Sequence, residues 1–314
     1  MLLGFDIGGT KCAVITANYD GNNIQLLEKR KIDTDLTIAP EAMIDKLIAL
    51  ADEILQETPT SIGISCGGPL DSKKGVILGP PNLIGWTHVE IVRQIQAHFQ
   101  VPVHLQNDAN ACAVAEWKFG AGVGCDHMIF LTFGTGLGAG LILDGRLYTG
   151  ANDNAGECGH IRLSRFGPVG YGKAGAFEGF CSGAGIAQLG YTLAQEQIQK
   201  GIYPAYCQKD TPMQDVTAKS IAEAAMNGDP TALKVYEVCG EYLGKGLSVL
   251  IDILNPQRIV IGSVFARSGH LMREAMERAI REEALAEAAV CCEVVPAALG
   301  ENIGDYAAIA TALL

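Results

Sequence analysis

The sequence predicts an α/β protein of two lobes, and three observations support this prediction. The chain has 314 residues, more than one hydrophobic core usually serves. Predicted strands occur together with amphipathic helices along the chain. In two places, near residues 8 and 134, a strand leads into a turn rich in glycine and a second strand follows. This repetition indicates a duplicated lobe with one glycine turn in each copy.

The individual elements follow from apolar periodicity and from the residues that begin and end them. Pro40 begins a helix whose apolar residues form one stripe. The pattern that starts at Pro230 ends at Asn255-Pro256, as expected for a long helix. The predicted helices cover 40–57, 88–99, 230–254, 270–287 and 305–314, and another follows Asp108. The predicted strands cover 2–7, 11–17, 61–66, 101–105, 128–133, 141–143 and 258–263, the last entering a turn of small residues.

Composition and net charge argue against nucleic acid as a partner and limit how an anionic ligand can be bound. The chain is 48% hydrophobic and 18% charged, which is typical of a globular protein with a large interior. Its net charge is −12, and no basic run is present, which argues against nucleic acid as a partner. An anionic ligand must therefore be held by local amides and single cations.

The same sequence favours a cytoplasmic location. Asp6 interrupts the opening apolar residues too early for a signal peptide. The longest uncharged apolar stretch, 128–143, contains four glycines and is too short to span a bilayer. Ten cysteines without C-x-x-C spacing indicate reduced thiols.

Asp108 lies where a predicted strand gives way to a helix. The exposed amide hydrogens of a helix N-terminus favour a carboxylate and hold it ionised. Such an Asp, aimed into a crevice beside Asn107, can accept the proton of a substrate hydroxyl. The alternative is structural: Asp108 caps the helix and Asn107 shapes the turn.

The first glycine turn has the composition of a polyphosphate site. It reads Asp6-Ile-Gly-Gly-Thr-Lys11. Glycines 8 and 9 let backbone amides approach phosphate oxygens, Thr10 and Lys11 can donate, and Asp6 can hold Mg²⁺ through water. The spacing of a Walker A loop is absent. On its own, such a hairpin can also be a plain turn.

The second glycine turn follows the strand that ends Thr132-Phe133 and reads Gly134-Thr135-Gly136. It continues through two further glycines into Leu141-Ile142-Leu143. Because a strand rather than a helix follows, this is a poor match to a dinucleotide fingerprint. Because this segment repeats the strand, glycine turn and strand of the first motif, we predict that both turns bind phosphates.

Two further segments are candidates for a polar ligand. Glu157 and His160 lie three residues apart in Gly156-Glu-Cys-Gly-His160, inside a region with few charges. The loop 79–86 offers Asn82 and Trp86, and the indole could cover a sugar face or simply belong to a connection between elements.

Four landmarks in this order closely resemble the ROK family of sugar kinases and sugar-responsive repressors, within the actin/hexokinase-like superfamily. They are Asp6-Ile-Gly-Gly-Thr-Lys11, Asn107-Asp-Ala-Asn-Ala111, Thr132-Phe-Gly-Thr-Gly136 and Glu157-Cys-Gly-His160. The resemblance extends from residue 4 to the C-terminus. It implies an actin-like or hexokinase-like (RNase H-like) ATPase fold: two mixed sheets flanked by helices, with a cleft between the lobes. We expect lobes at 1–117 and 118–303, with the helix 304–314 packing back onto the first lobe.

The resemblance also implies roles for individual residues. Asp108 matches the catalytic base of the family. The implied sugar ligands are Gly68, Asn82, Asn107, Asp108, Glu157, His160 and Glu178. The implied ATP-phosphate and Mg²⁺ residues are Asp6, Gly8, Gly9, Thr10, Lys11, Thr132, Gly134, Thr135 and Gly136, and Gly262 is placed near the adenosine.

One departure from the family concerns zinc. The family usually builds a zinc site from the His of its E-x-G-H motif and cysteines of a following C-x-C-G-x-x-G-C-x-E segment. Here Val169, Tyr171 and Ala176 stand where thiolates are expected. We therefore expect no zinc site of that kind. Tyr171 and Phe177 are expected to brace His160 instead.

The resemblance implies a kinase that uses ATP and Mg²⁺ on the 6-hydroxyl of a hexose. Glucose leads the candidates, ahead of N-acetylmannosamine, N-acetylglucosamine, mannose, fructose and allose. The first glycine motif begins at residue 6, which leaves no room for the DNA-binding segment of the repressors, so we expect no nucleic acid and no membrane partner. A homodimer is expected. A catalytically silent sugar sensor and a filament-forming or ATP-hydrolysing relative are the alternatives.

Overall fold

The computed structural model describes residues 1–314 as fifteen strands and eleven α-helices. The strands are β1 Leu2–Ile7, β2 Lys11–Tyr19, β3 Ile24–Asp33, β4 Ser61–Cys66, β5 Leu70–Asp71, β6 Val76–Leu78, β7 Thr87–Val89, β8 Val103–Asn107, β9 Met128–Phe133, β10 Leu137–Leu143, β11 Arg146–Tyr148, β12 Val169–Gly170, β13 Lys173–Ala174, β14 Arg258–Ile261 and β15 Glu293–Pro296. The helices are α1 Pro40–Ile54, α2 Ile91–Phe99, α3 Asp108–Phe119, α4 Phe177–Phe180, α5 Gly183–Ile198, α6 Ala218–Met226, α7 Pro230–Leu254, α8 Val264–Ser268, α9 Arg273–Glu283, α10 Ala286–Cys291 and α11 Ile303–Thr311.

Two five-stranded sheets share one strand order. The first is ordered β3-β2-β1-β4-β8 and the second β11-β10-β9-β14-β15. In the first sheet β2 is antiparallel to β1 and β3, whereas β4 is parallel to β1 and β8. In the second, β14 is parallel to β9 and β15, and β11 is antiparallel to β10. This repetition confirms the prediction of a duplicated mixed α/β fold.

The chain separates into two compact units. The first contains 1–126, 140–155 and 298–314, and the second contains 127–139 and 156–297. Relative to the expected boundary after residue 117, the first unit continues to residue 126 and also includes 140–155. A reason is visible at Gly140, where a side chain would overlap Ala113 of α3 and the backbone of α3 at Ala109.

The last helix completes the first unit. Small residues allow α11 to lie directly on the sheet: a Cβ on Gly63 would collide with the carbonyl oxygen of Ala308, and one on Gly4 would lie 3.0 Å from the Ala308 Cβ. Apolar residues of α1 and α2 form another core with this sheet, including Met43, Leu47 and Ile95. This arrangement leaves the ends of β1 and β8, where Asp6 and Asn107 lie, at the edge of the core.

Most predicted elements are present, with shifted ends. The long helix α7 and the strand β9 have the predicted bounds. The helix predicted over 270–287 is two helices, because Ala284 is extended. The short sheet β5-β6-β7 and the helices α5 and α6 were not predicted. The start of α5 was missed because this helix begins at Gly183 and contains Gly185 and Gly190, and glycine is a poor helix former.

No α-helix of the chain combines the length and the apolar character needed to cross a bilayer.

Candidate functional site

Asp108 is the first residue of α3, directly after the end of β8. The helix cap is Asn107, whose side-chain oxygen accepts from the Asn110 N–H at 2.7 Å. Asp108 itself accepts only from the N–H of Ala109, at 2.8 Å through Oδ1. The capping role therefore falls to Asn107. The other carboxylate oxygen of Asp108, Oδ2, makes no hydrogen bond within the chain.

Burial opposes the ionisation of Asp108. Asp108 is exposed to solvent, yet the protein packed around its carboxylate removes enough water to raise its pKa above the ordinary value, against the effect of the Ala109 N–H. The N–H at the helix terminus favours the ionised carboxylate as expected, but the loss of water around the carboxylate outweighs its effect on the pKa. A raised pKa makes Asp108 a stronger base once it is deprotonated.

Asp6, at the end of β1, belongs to the same acidic group. Burial raises its pKa from 3.8 to about 6, and the carboxylates of Asp305 and Asp108 act in the same direction, whereas Lys29 and Lys31 oppose them. Carboxylates crowded together and poorly hydrated favour the arrival of a cation. Magnesium, which prefers oxygen ligands and retains water, suits this position.

Asp305 and Lys29 are functional candidates that sequence reasoning missed. Asp305 lies in the first turn of α11, only 5% exposed, and pairs with the Lys29 ammonium from β3. An acidic residue in a first turn is ordinary, because it complements the helix dipole. No pattern in the sequence indicates that this one lies beside Asp6.

The first glycine turn is held by the end of β3. The Gly8 N–H donates to the Lys11 carbonyl at 3.2 Å, which closes the hairpin. The Thr34 hydroxyl donates to the Gly8 carbonyl at 2.6 Å, and the Thr34 N–H donates to the Thr10 carbonyl at 2.9 Å. Thr10 and Lys11 are exposed, so their side chains are free to meet a ligand.

The loop 79–86 meets this turn through Asn82. A Cβ on Gly9 would overlap the Asn82 carbonyl oxygen, so the backbone must approach closely here. The Asn82 side-chain oxygen would lie 3.6 Å from a Cβ on Gly67, next to Gly68. Trp86, in contrast, is 1% exposed within the core. The interpretation of its indole as a cover for a sugar is therefore wrong, because the ring is used for packing.

In the second unit, the second glycine turn is closed by its own backbone and held by two helices. The Gly134 N–H donates to the Gly136 carbonyl at 3.1 Å, and the Gly134 carbonyl accepts from Gly183 at the start of α5, at 2.7 Å. The Leu137 N–H donates to the Glu178 carboxylate at 2.9 Å. Thr132 is engaged with its own strand pair, because its hydroxyl oxygen accepts from the Gly138 N–H at 3.0 Å. Thr135 is exposed at the tip.

Glu157 precedes a single 3-10 turn, Cys158–His160, of which His160 is the last residue, and both side chains are exposed. The His160 ring lies edge-on to the Tyr171 ring, with centroids 5.0 Å apart. Tyr171 is thus in contact with His160, and the prediction that it braces the ring stays a prediction. Phe177 is completely buried, and no ring contact joins it to His160.

The segment that replaces the cysteine-rich segment of the family folds as a small hairpin. β12 and β13 pair across Tyr171 and Gly172, and both turn residues have positive φ. The Gln188 side-chain amide both accepts from the Val169 N–H, at 3.0 Å, and donates to the Val169 carbonyl, at 2.9 Å. No group of three or more His, Cys, Asp or Glu side chains in the chain is arranged to hold a metal ion.

Gly262 follows β14 and is buried, with its N–H donating to the Leu131 carbonyl at 3.0 Å. The next residue, Ser263, has φ of 50° and is exposed. A Cβ on Gly134 would lie 3.8 Å from the Ser263 hydroxyl. The second unit therefore brings the 262–263 turn close to the second glycine turn.

Known proteins match this chain along nearly its whole length. The model of the ROK family matches residues 2–313. The glucokinase of Streptomyces coelicolor is 29% identical over 283 residues, which cover 90% of this chain and 87% of that protein. The structure of a ROK family glucokinase from Streptomyces griseus, in complex with glucose and AMPPNP, is 30% identical, with a TM-score of 0.77 and 99% of both chains covered.

Similarity extends to regulators as well as enzymes. A ROK family transcriptional regulator, a homolog of the MLC protein of E. coli, is 26% identical with a TM-score of 0.83. The match covers 99% of this chain and 78% of the regulator.

Proposed function

The chain belongs to the ROK family, and on this premise we propose that it is an ATP-dependent kinase that phosphorylates the 6-hydroxyl of a hexose, with glucose as the first candidate. The observation that carries the proposal is Asp108. It starts a helix, has an unengaged carboxylate oxygen and lies in the same acidic group as Asp6. Those are the requirements for a base that takes a proton beside a cation site.

The proposal assigns a chemical role to each of the predicted site residues. Asp108 accepts the proton of the attacking hydroxyl, and Asn107, Glu157, His160 and Glu178 bind the sugar, with Gly68 and Asn82 at its edge. The two glycine turns present amides and hydroxyls to the ATP phosphates, and Gly262 lies near the adenosine. Asp6 would hold Mg²⁺ through water, and the ion would supply neutralisation of phosphate charge. Catalysis then consists mainly of positioning and electrostatics.

The test is a coupled assay of ADP release with glucose, mannose, N-acetylglucosamine, N-acetylmannosamine, fructose and allose. We expect sugar-dependent turnover, with the highest kcat/KM for one hexose. Turnover of ATP that is independent of any sugar would instead support an ATP-hydrolysing relative. Sedimentation of the purified protein tests the proposed homodimer, and metal analysis tests the expectation that no zinc is bound.

The similarity to a ROK family transcriptional regulator favours one second candidate, a sugar-binding sensor. In that case a sugar would raise the Tm without any ADP release. The retention of Asp108 and of both glycine turns supports the kinase over the sensor.

A further inference from the structure

Glu178 connects the second glycine turn with the segment that carries Glu157 and His160. Its Oε2 accepts from the Leu137 N–H at 2.9 Å. A Cβ on Gly136 would lie 2.7 Å from this same oxygen, so glycine at this position makes room for the carboxylate. The Oε2 atom of Glu178 therefore accepts a hydrogen bond at the end of the turn and also packs closely against Gly136.

The backbone of the Glu157–His160 segment reinforces this connection. The Ala139 N–H donates to the Gly156 carbonyl at 2.8 Å. A Cβ on Gly159 would collide with the Leu137 carbonyl oxygen and would lie 3.3 Å from the Glu178 Cβ. Both glycines of the Gly156-Glu-Cys-Gly-His160 motif thus permit close contact with the start of β10. The turn, the motif and Glu178 form one packed group within the second unit.

The second carboxylate oxygen of Glu178, Oε1, makes no hydrogen bond within the chain, and the side chain is partly exposed. One oxygen therefore holds the turn while the other remains able to accept a hydroxyl. A carboxylate is suited to this double role because it is an acceptor at both oxygens.

We propose that Glu178 is a positioning residue that couples the two substrates: through Leu137 it holds the second glycine turn in the conformation that receives phosphates, and a sugar hydroxyl on its free oxygen strengthens that hold. The inference rests on the proposed function. Because binding free energies are linked reciprocally, each ligand then raises the affinity for the other by the same factor.

The test is calorimetric titration of AMPPNP with Mg²⁺, first in the absence of sugar and then with the sugar that gives the highest kcat/KM, which should raise the AMPPNP affinity of wild type. Glu178→Ala removes the acceptor of the Leu137 N–H, and we expect binding to weaken about 10- to 100-fold, the range for the loss of a hydrogen bond to a charged group. Glu178→Gln can still accept that N–H, and we expect nucleotide affinity within about twofold of wild type. Glu196→Ala is the matched control: this exposed glutamate of α5 has no part in the proposed site, so its removal should leave nucleotide affinity unchanged.

A second variant and a second readout protect the test from misfolding of Glu178→Ala. Gly136→Ala keeps the charge but displaces the carboxylate, and it should weaken AMPPNP to a similar extent. Hydrogen exchange of the peptide that contains Leu137 should be faster in both variants and near wild type in Glu178→Gln. A Glu178 that only binds sugar would not produce this pattern in the absence of sugar, and a Glu178 that only supports the turn would not transmit an effect of sugar on AMPPNP affinity.

The outcomes separate the inference from the proposed function. If wild type phosphorylates a sugar and Glu178→Ala binds AMPPNP as wild type does, the inference is wrong and the kinase stands. If wild type binds no AMPPNP, both are wrong. Nucleotide binding that weakens in Glu178→Ala and recovers in Glu178→Gln supports the hold on the turn, and a gain in AMPPNP affinity on addition of sugar that is lost in Glu178→Ala supports the coupling.

Discussion

The two glycine turns follow equivalent strands of two similar sheets, yet different groups hold them. The first is fixed by its own sheet, through neutral groups: the Thr34 hydroxyl and N–H bind the carbonyls of Gly8 and Thr10. The second is fixed from outside its sheet, through the Glu178 carboxylate and the start of α5. The difference teaches that duplication preserved the strand order but not the supports, and that only the second turn is held by a carboxylate proposed to bind sugar.

The largest expected effect concerns the base that accompanies the first turn. Asp108→Asn keeps the shape of the side chain but cannot take a proton. We expect kcat to fall about 10²–10⁴-fold, the usual range for general-base help, while sugar affinity measured by calorimetry stays near wild type. Asn107→Asp is a useful contrast to Asp108→Asn, because the new carboxylate can still accept the Asn110 N–H that caps the helix. Near-normal kcat in Asp108→Asn would remove this residue from the base role.

Alanine substitution should separate the turns by stability. A Cβ on Gly9 overlaps the Asn82 backbone, whereas a Cβ on Gly134 meets only the Ser263 hydroxyl, at 3.8 Å. We expect Gly9→Ala to lower the free energy of unfolding by about 1–3 kcal/mol. Gly134→Ala should change it by about 0.5 kcal/mol or less. Thermal and urea unfolding measure both, and equal losses would show that the space around the turns does not differ as described.

Acidic pH should weaken activity through the first unit. The pKa of Asp6 is raised to about 6, so we expect kcat/KM to fall as the pH drops below about 6 and the metal-holding carboxylate becomes protonated. Asp305→Asn removes a charge that raises this pKa, and the acidic limb of the pH profile should move to lower pH. A profile identical to that of wild type would contradict the proximity of these two carboxylates.

The raised pKa of Asp6 also makes the free energy of unfolding depend on pH. Because folded Asp6 binds its proton more tightly than the ordinary pKa of 3.8 implies, its contribution to stability is fully present below about pH 4. That contribution is lost as the pH rises toward 6. Bound Mg²⁺ should reduce this loss, because it stabilises the ionised form.

The smallest expected effect tests the support of the first turn. Thr34→Val deletes the hydroxyl that donates to the Gly8 carbonyl at 2.6 Å but retains the backbone N–H. We expect a loss of about 1 kcal/mol in unfolding free energy and a modest rise in the KM for ATP. A KM change as large as that of Glu178→Ala would mean that the supports of the two turns are equally important.

The sequence predicted the duplicated sheets because local patterns define them. Strand–glycine–strand segments and the helix from Pro230 to Leu254 need no distant contacts to be recognised. The sequence also indicated where Asp108 lies, but not its pKa, because the loss of water around a carboxylate depends on segments far away in the chain. For the same reason Asp305 was missed: it meets Lys29 across 276 positions of sequence.

Other failures have equally specific causes. Trp86 follows a proline-bounded loop, and its composition does not distinguish a ring over a ligand from a ring in the core. The break at Ala284 interrupts a pattern that is otherwise continuous. Glu178 was assigned from the family motif, while its bond to Leu137 depends on how α4 meets β10 and has no signature in either segment.

Glu116 has a consequence for how the chain is made. This completely buried carboxylate accepts N–H bonds from Ala121, Ala298 and Leu299, and α11 lies directly beyond them. On the ribosome, residues 1–126 emerge long before residue 298 exists, so for most of translation Glu116 lacks two of its three donors and the first sheet lacks its covering helix. The amino-terminal half of the chain must therefore wait for the last residues to be synthesised before it can reach its final fold.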